Sequence, residues 1–373
     1  MRRALALAVA VTALLAPGAA RALPRFSVQQ GVPCTMCHAN PTGGGGRNAY
    51  GRGPYARQTL SGNWGTPNGG FPLLDPTLGE WLALGADLRA AYNESFPRAD
   101  VPDRRALPRT NGFLPMQADL YVLAEPSPYL DLYYDQGLFG SHEIYVRPRL
   151  GILSLKAGKF VPPFGWRLLD HTIWTREAMG FGPRAKDTGL TLVLDHPNLS
   201  IEAGLFNGAG SDVFLDTDRL RAYAARVEGR VTLGRVHLHL GASGYWNRSG
   251  HGASRTEAIR AGGFGGVGVG RLAWLFEGDA AVDEVGGVRT TWTAAYNELS
   301  IVATRGLQVG LVYDFKDPDV DIHGDAVHRF GVDASIFPWP NMELELIVRD
   351  IAANRGNPVS RLLEVTVLLH GYL

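Results

Sequence analysis

Cysteine and lysine are the scarcest features of this 373-residue chain, with two of the former and four of the latter. Two cysteines cannot staple a small disulfide-rich scaffold, so whatever they do is local. No apolar run of 18 residues occurs beyond the first 22 positions, which excludes a helical membrane protein. Charge of one sign is also missing: 36 basic residues balance 36 acidic ones, and no basic patch points to a nucleic-acid partner.

The chain opens with Arg2 and Arg3 and an apolar or small run from Ala4 to Ala16, broken by Pro17 and Gly18. Ala20-Arg21-Ala22 then supplies small residues at the two cleavage-defining positions. This layout predicts a secretory signal over residues 1–22 and a mature chain from Leu23. The apolar run is shorter than the roughly 20 residues a membrane helix needs. Its removal deletes three arginines and leaves 33 basic against 36 acidic residues, a net charge of −3.

Both cysteines lie in "GVPCTMCHANPTGGGGRNAYG", residues 31–51. In an exported chain an isolated pair usually forms a disulfide. A thioredoxin-like redox pair would need a βαβ pattern, and none surrounds it. His38 directly after Cys37 instead completes Cys-x-x-Cys-His, the attachment motif of a c-type haem. The expectation is one covalent haem c, with Cys34 and Cys37 as thioethers and His38 as proximal ligand to iron. Met36 lies inside the motif and cannot reach the distal face. Residues 23–78 hold no further methionine or histidine, so candidate distal or lumen ligands are His171, Met179, His237 and His239. From residue 23 to about 68 there are too few aliphatics for the chain to fold as an ordinary domain, so 23–78 is expected to be a haem-bearing segment. Haem and the rest of the protein would supply its walls, as in a plug. The glycines at 43–46 permit tight turns, and no Gly-Lys-Ser/Thr follows to make them a phosphate loop.

From residue 79 to the end the dominant period is two. In "MELELIVRD", Met342, Leu344, Leu346 and Val348 oppose Glu343, Glu345 and Arg349; in "VHLHL", Val236, Leu238 and Leu240 oppose His237 and His239. Sixteen such segments fall at roughly 84–94, 113–124, 128–136, 142–149, 152–160, 187–194, 198–206, 220–231, 234–246, 261–269, 271–283, 288–301, 305–315, 326–337, 341–351 and 360–372. Tight links near Gly234 and Gly306 alternate with long ones, such as 161–186. The chain ends in a strand with Tyr372 next to last. Trp81, Tyr92, Tyr121, Tyr245, Trp246, Trp292, Tyr313 and Trp339 lie near strand ends, as interfacial girdles do. An all-β transmembrane barrel of about sixteen antiparallel strands is expected over 79–373, bedded in the lipid of a Gram-negative outer membrane. A soluble all-β protein would gather a central apolar core, for which these charged faces leave no room. Acids on the polar faces, Glu277, Asp279, Asp283, Glu343 and Glu345, keep a lumen polar or guide a cation inward.

The segment 156–190 holds three of the four lysines and is expected to fold into the lumen or cap its mouth. Its Gly158-Lys159-Phe160, Pro163-Phe164-Gly165 and Arg184…Asp187-Thr188-Gly189 resemble a strand–loop–strand segment of phosphate-selective-type porins. The front of the chain resembles the fused cytochrome–porin family, which includes outer-membrane iron oxidases. The matching positions are Pro24, Phe26, Gln30, Gly31, Cys34, Cys37, His38, Pro41 and Gly51, spanning about 30 residues. Two departures stand out: Gln30 and Gly31 are adjacent, and residues 43–46 are glycine where the iron oxidases tend to carry bulky apolar residues.

This resemblance implies electron transfer through the haem, between an extracellular redox substrate, Fe(II) among the options, and a periplasmic electron-carrier cytochrome. The alternatives are a porin-type diffusion channel with a haem-bearing plug or redox sensor, and a structural partner of a larger cytochrome complex.

Overall fold

The computed structural model describes residues 24–65, 76–97, 110–137, 142–168, 172–182, 184–210, 216, 218–251, 255–353 and 361–373. The predicted signal and His171 lie outside the described residues. After the two-residue β1 (Thr77–Leu78) come β2 (Leu82–Pro97), β3 (Asn111–Ser127), β4 (Leu130–Gly137), β5 (Glu143–Leu150) and β6 (Leu153–Phe160). Then follow β7 (Asp187–His196), β8 (Leu199–Phe206), β9 (Ala222–Leu233), β10 (Val236–Ser249), β11 (Thr256–Val269) and β12 (Leu272–Val285). The last are β13 (Val288–Thr304), β14 (Leu307–Asp317), β15 (Val327–Ile336), β16 (Met342–Ala353) and β17 (Arg361–Tyr372). Each of the sixteen predicted segments is a strand.

From β2 onward each strand pairs antiparallel with the next, and β17 pairs back onto β2, with Tyr372 opposite Asp87 and Leu362 opposite Pro97. The sheet is therefore a closed sixteen-strand barrel with no free edge. Links such as Gly234-Arg235 and Gly270-Arg271 are tight, and Gly234 (φ +63°) adopts the left-handed conformation such turns demand. The opposite rim carries the long connections. By the usual polarity of these barrels, the tight turns, the start of β2 and the end of β17 face the periplasm.

Burial is inverted relative to a soluble protein. Along β9, Arg226, Glu228 and Arg230 are buried, while Tyr223, Val227 and Val231 are exposed. The same reversal recurs at Leu240, Leu311, Val332 and Leu346 outside and at Asp87, Glu143, Asp314 and Arg329 inside. An exposed apolar belt on this scale is stable only against lipid. The expected aromatic girdle needs one correction. Tyr121 and Trp292 are buried, and Tyr245 packs against buried lumen aromatics, whereas Trp81 and Trp246 remain exposed. An aromatic near a strand end can fall on either face, and only its parity in the closed register decides which.

The lumen is filled from two directions. Residues 24–65 enter from the periplasmic end as a plug: a helix Pro24–Gln30, a 3₁₀ turn Cys34–Met36 and a wide π-helical stretch Gly51–Leu60. Val28 sits on the bare backbone of β11, where a side chain on Gly266 or Gly268 would collide with it. Phe26 meets Tyr55 and Phe337 edge-on, with ring centroids 5.8 and 6.5 Å apart. The described parts of the loop, 161–168, 172–182 and 184–186, fold inward from the other end, as its composition predicts.

Candidate functional site

The 3₁₀ turn brings the sequence motif to one place. The amides of Cys37 and His38 both donate to the Cys34 carbonyl, at 3.2 and 3.1 Å, so Cys34, Cys37 and His38 share one turn. Asn48 clamps that turn. Its Nδ2 donates to the carbonyls of Thr35 (2.8 Å) and Met36 (2.9 Å), and its Oδ1 accepts from the amides of Tyr50 and Gly51. The glycines have a local reason. Gly43 (φ +82°) lies against the Cys34 side chain, and a side chain on Gly51 would strike the Cys37 carbonyl.

Cys34, Cys37 and His38 are all buried, no disulfide joins the thiols, and His38 Nδ1 has no hydrogen-bond partner. Burial pushes the Cys34 thiol up to about 12 and the His38 imidazole down to about 3, the latter reinforced by the nearby Arg47 charge. His38 is thus neutral, the form that binds a metal.

Cys37 and His38 open onto a lumen cavity of about 410 Å³. Leu114, Met116, Ile173, Leu275 and Val312 give it an apolar wall, and Arg47, Arg89, Glu298, Asp333, Glu343 and Arg349 give it a charged one. Its size lies in the roughly 300–1,000 Å³ range of cofactor and small-molecule sites.

Side-chain hooks hold the plug against the wall. Arg47 meets Asp87 at 3.1 Å and lies over the Tyr372 ring at 4.2 Å. Asp87 also accepts from Tyr121 Oη (2.6 Å) and His370 Nε2 (2.9 Å), while His370 Nδ1 meets Glu343 at 2.9 Å. Arg25 meets Glu298 at 3.3 Å, Lys156 donates to Asn40 at 3.2 Å, and the Gly46 amide donates to Tyr133 at 2.8 Å.

The inward loop is tied across the lumen at Gly165-Trp166. The Gly165 amide donates to Ser243 (2.9 Å), its carbonyl accepts from Arg226 (2.9 Å), and the Trp166 amide donates to Glu277 (3.1 Å). Gly165 (φ +49°) leaves no room for a side chain beside Glu277. Phe164 stacks on Phe181 at 4.3 Å, and Arg176 donates to both their carbonyls. Burial lowers the Arg176 guanidinium to about 10.

The described candidate ligands lie elsewhere. Met179 is buried among Phe164, Phe181 and Trp292. His237 packs over Gly31 and meets Thr232 at 3.0 Å, and His239 is held by Glu228 at 2.8 Å beside Trp166. None of the three lines the cavity. Of the lumen acids, Glu343 and Glu345 line it, whereas Glu277 anchors the loop and Asp283 accepts from Arg260 and Trp292. Sequence reasoning missed Met116. Its signal was Pro115, because proline inside an interior strand marks a bulge.

No family model matches the chain, and no curated protein sequence does. Solved structures do match in fold. An anion-selective porin from Comamonas acidovorans aligns with a TM-score of 0.61 at 10% identity, over 78% of this chain and 99% of that one. The outer membrane channel DcaP of Acinetobacter baumannii gives 0.57 at 12%, over 78% and 97%. OmpT of Vibrio cholerae gives 0.55 at 10%, over 80% and 100%. At these identities the likeness is one of fold: the chain is a closed porin-type barrel, and the Gram-negative outer membrane is where its apolar belt is matched.

Proposed function

We propose that this porin-type barrel carries a covalent haem on its own plug and passes electrons across the outer membrane. The observation that carries the reading is the burial of Cys34, Cys37 and His38 on one turn of the plug, with Cys37 and His38 lining a cavity of cofactor size. The residues fit the group: two unbridged buried thiols for thioether bonds, a neutral histidine with an unpartnered ring nitrogen, and apolar side chains in the wall of the same cavity. When bound, a c-type haem supplies a reversible one-electron centre. The chain's own residues exclude lipid from that centre, hold it with Cys34, Cys37 and His38, and set a charged wall beside it.

One haem is shorter than the roughly 25 Å apolar band of such barrels. Partners on both sides complete the path: an extracellular redox substrate on one, a periplasmic cytochrome on the other. Taken alone, the structural neighbours favour a second reading, a diffusion channel regulated by its plug, since the solved relatives include a channel and an anion-selective porin.

Proteoliposomes with an electron acceptor sealed inside separate the two. A membrane-impermeant reductant added outside should reduce the internal acceptor through the native protein and not through Cys37→Ala. Equal rates in both, together with steady solute conductance, would overturn electron transfer and leave the channel.

A further inference from the structure

On the haem reading above, we propose that Met116 is the distal axial ligand, delivered into the cavity by a β-bulge. Odd-numbered residues of β3, namely Gln117, Asp119 and Tyr121, share the lumen face, so strict alternation would aim Met116 at lipid. The register breaks there. Arg89 pairs with Gln117 and Ala90 with Pro115, which leaves Met116 as the extra, unpaired residue. A bulge of this kind re-aims a side chain. Met116 accordingly lines the cavity onto which Cys37 and His38 open.

Besides His38, the one histidine lining that cavity is committed. His370 uses both ring nitrogens, on Asp87 and Glu343 at 2.9 Å each. Met116 is the one thioether among the residues lining it. A sulfur donor also suits a half-buried site with an apolar wall, because it needs no hydrogen-bond partner when unligated. Met36, Met179 and Met342 are not in the cavity wall.

The test uses the full chain, exported with the haem-attachment machinery and purified in detergent. Native protein, Met116→Leu and Met116→His are compared for covalent haem content, optical and paramagnetic spectra, midpoint potential and carbon monoxide binding to the reduced form. Met116→Leu keeps the packing volume, and heat-shifted gel migration reports barrel folding. The expected result is one haem per chain throughout and a low-spin native spectrum that excludes carbon monoxide. Met116→Leu should lose that spectrum and bind carbon monoxide, and Met116→His should restore a low-spin haem at lower potential. Unchanged spectra and gas binding in folded, haem-loaded Met116→Leu would overturn the assignment alone. Absence of covalent haem from the native protein would overturn the haem reading itself.

Discussion

Strands β10 to β12 satisfy their backbone groups on their neighbours, residue after residue, while in residues 24–65 a single isolated bridge, His38 to Arg47, joins extended backbone. The wall is stabilised by ladder hydrogen bonds and by apolar side chains meeting lipid. The plug has neither. It depends on a few apolar anchors, on hooks such as Arg47–Asp87 and Arg25–Glu298, and on the cofactor proposed to sit beside it. Closure makes the wall self-sufficient, whereas the plug borrows its order from the wall.

Deleting residues 24–65 breaks the comparison most severely. The barrel should still fold, because no wall ladder runs through the plug, and its single-channel conductance in planar bilayers should rise about tenfold. A tenfold change is only the scale of 1.4 kcal/mol in a barrier. Failure of the truncated chain to give a heat-shifted band would show that the wall needs its contents.

Smaller and confined to the plug is Arg47→Ala. Removing one partner of a buried ion pair costs about 3–5 kcal/mol, and the low end applies because Tyr121 and His370 still satisfy Asp87. The expected readout is protease cleavage within 24–65 at unchanged barrel migration; coincident loss of both would merge the two regions into one cooperative unit. Smallest is Leu311→Arg on the lipid face, where a midplane arginine costs about 2–4 kcal/mol. Urea unfolding in vesicles should register it, with haem content unaltered.

The wall was legible because period two survives in nearly every strand, and a closed sheet admits few registers once the apolar face is fixed. The plug's course was not. Its contacts are single long-range hooks, and nothing near Arg47 in the sequence points to Asp87 or Tyr372. Tyr121, Tyr245 and Trp292 were misplaced for a related reason, since position near a strand end does not tell face. Met116 escaped because its strand breaks alternation at Pro115, where the rule that found the strand gives the wrong side. His237 and His239 were placed on the polar face, as observed, but their partners Thr232 and Glu228 come from the paired strand β9.

Asp87 belongs to the first barrel strand and His370 to the last, and Arg47 of the plug reaches the same carboxylate. The full set of partners exists only after those two strands have met. The plug's berth at Asp87 is thus finished only by closure of the seam, so a chain lacking its final strand offers Arg47 an incomplete one. One acid is where the first strand, the last strand and the plug meet, and its partners are complete only when the cylinder is shut.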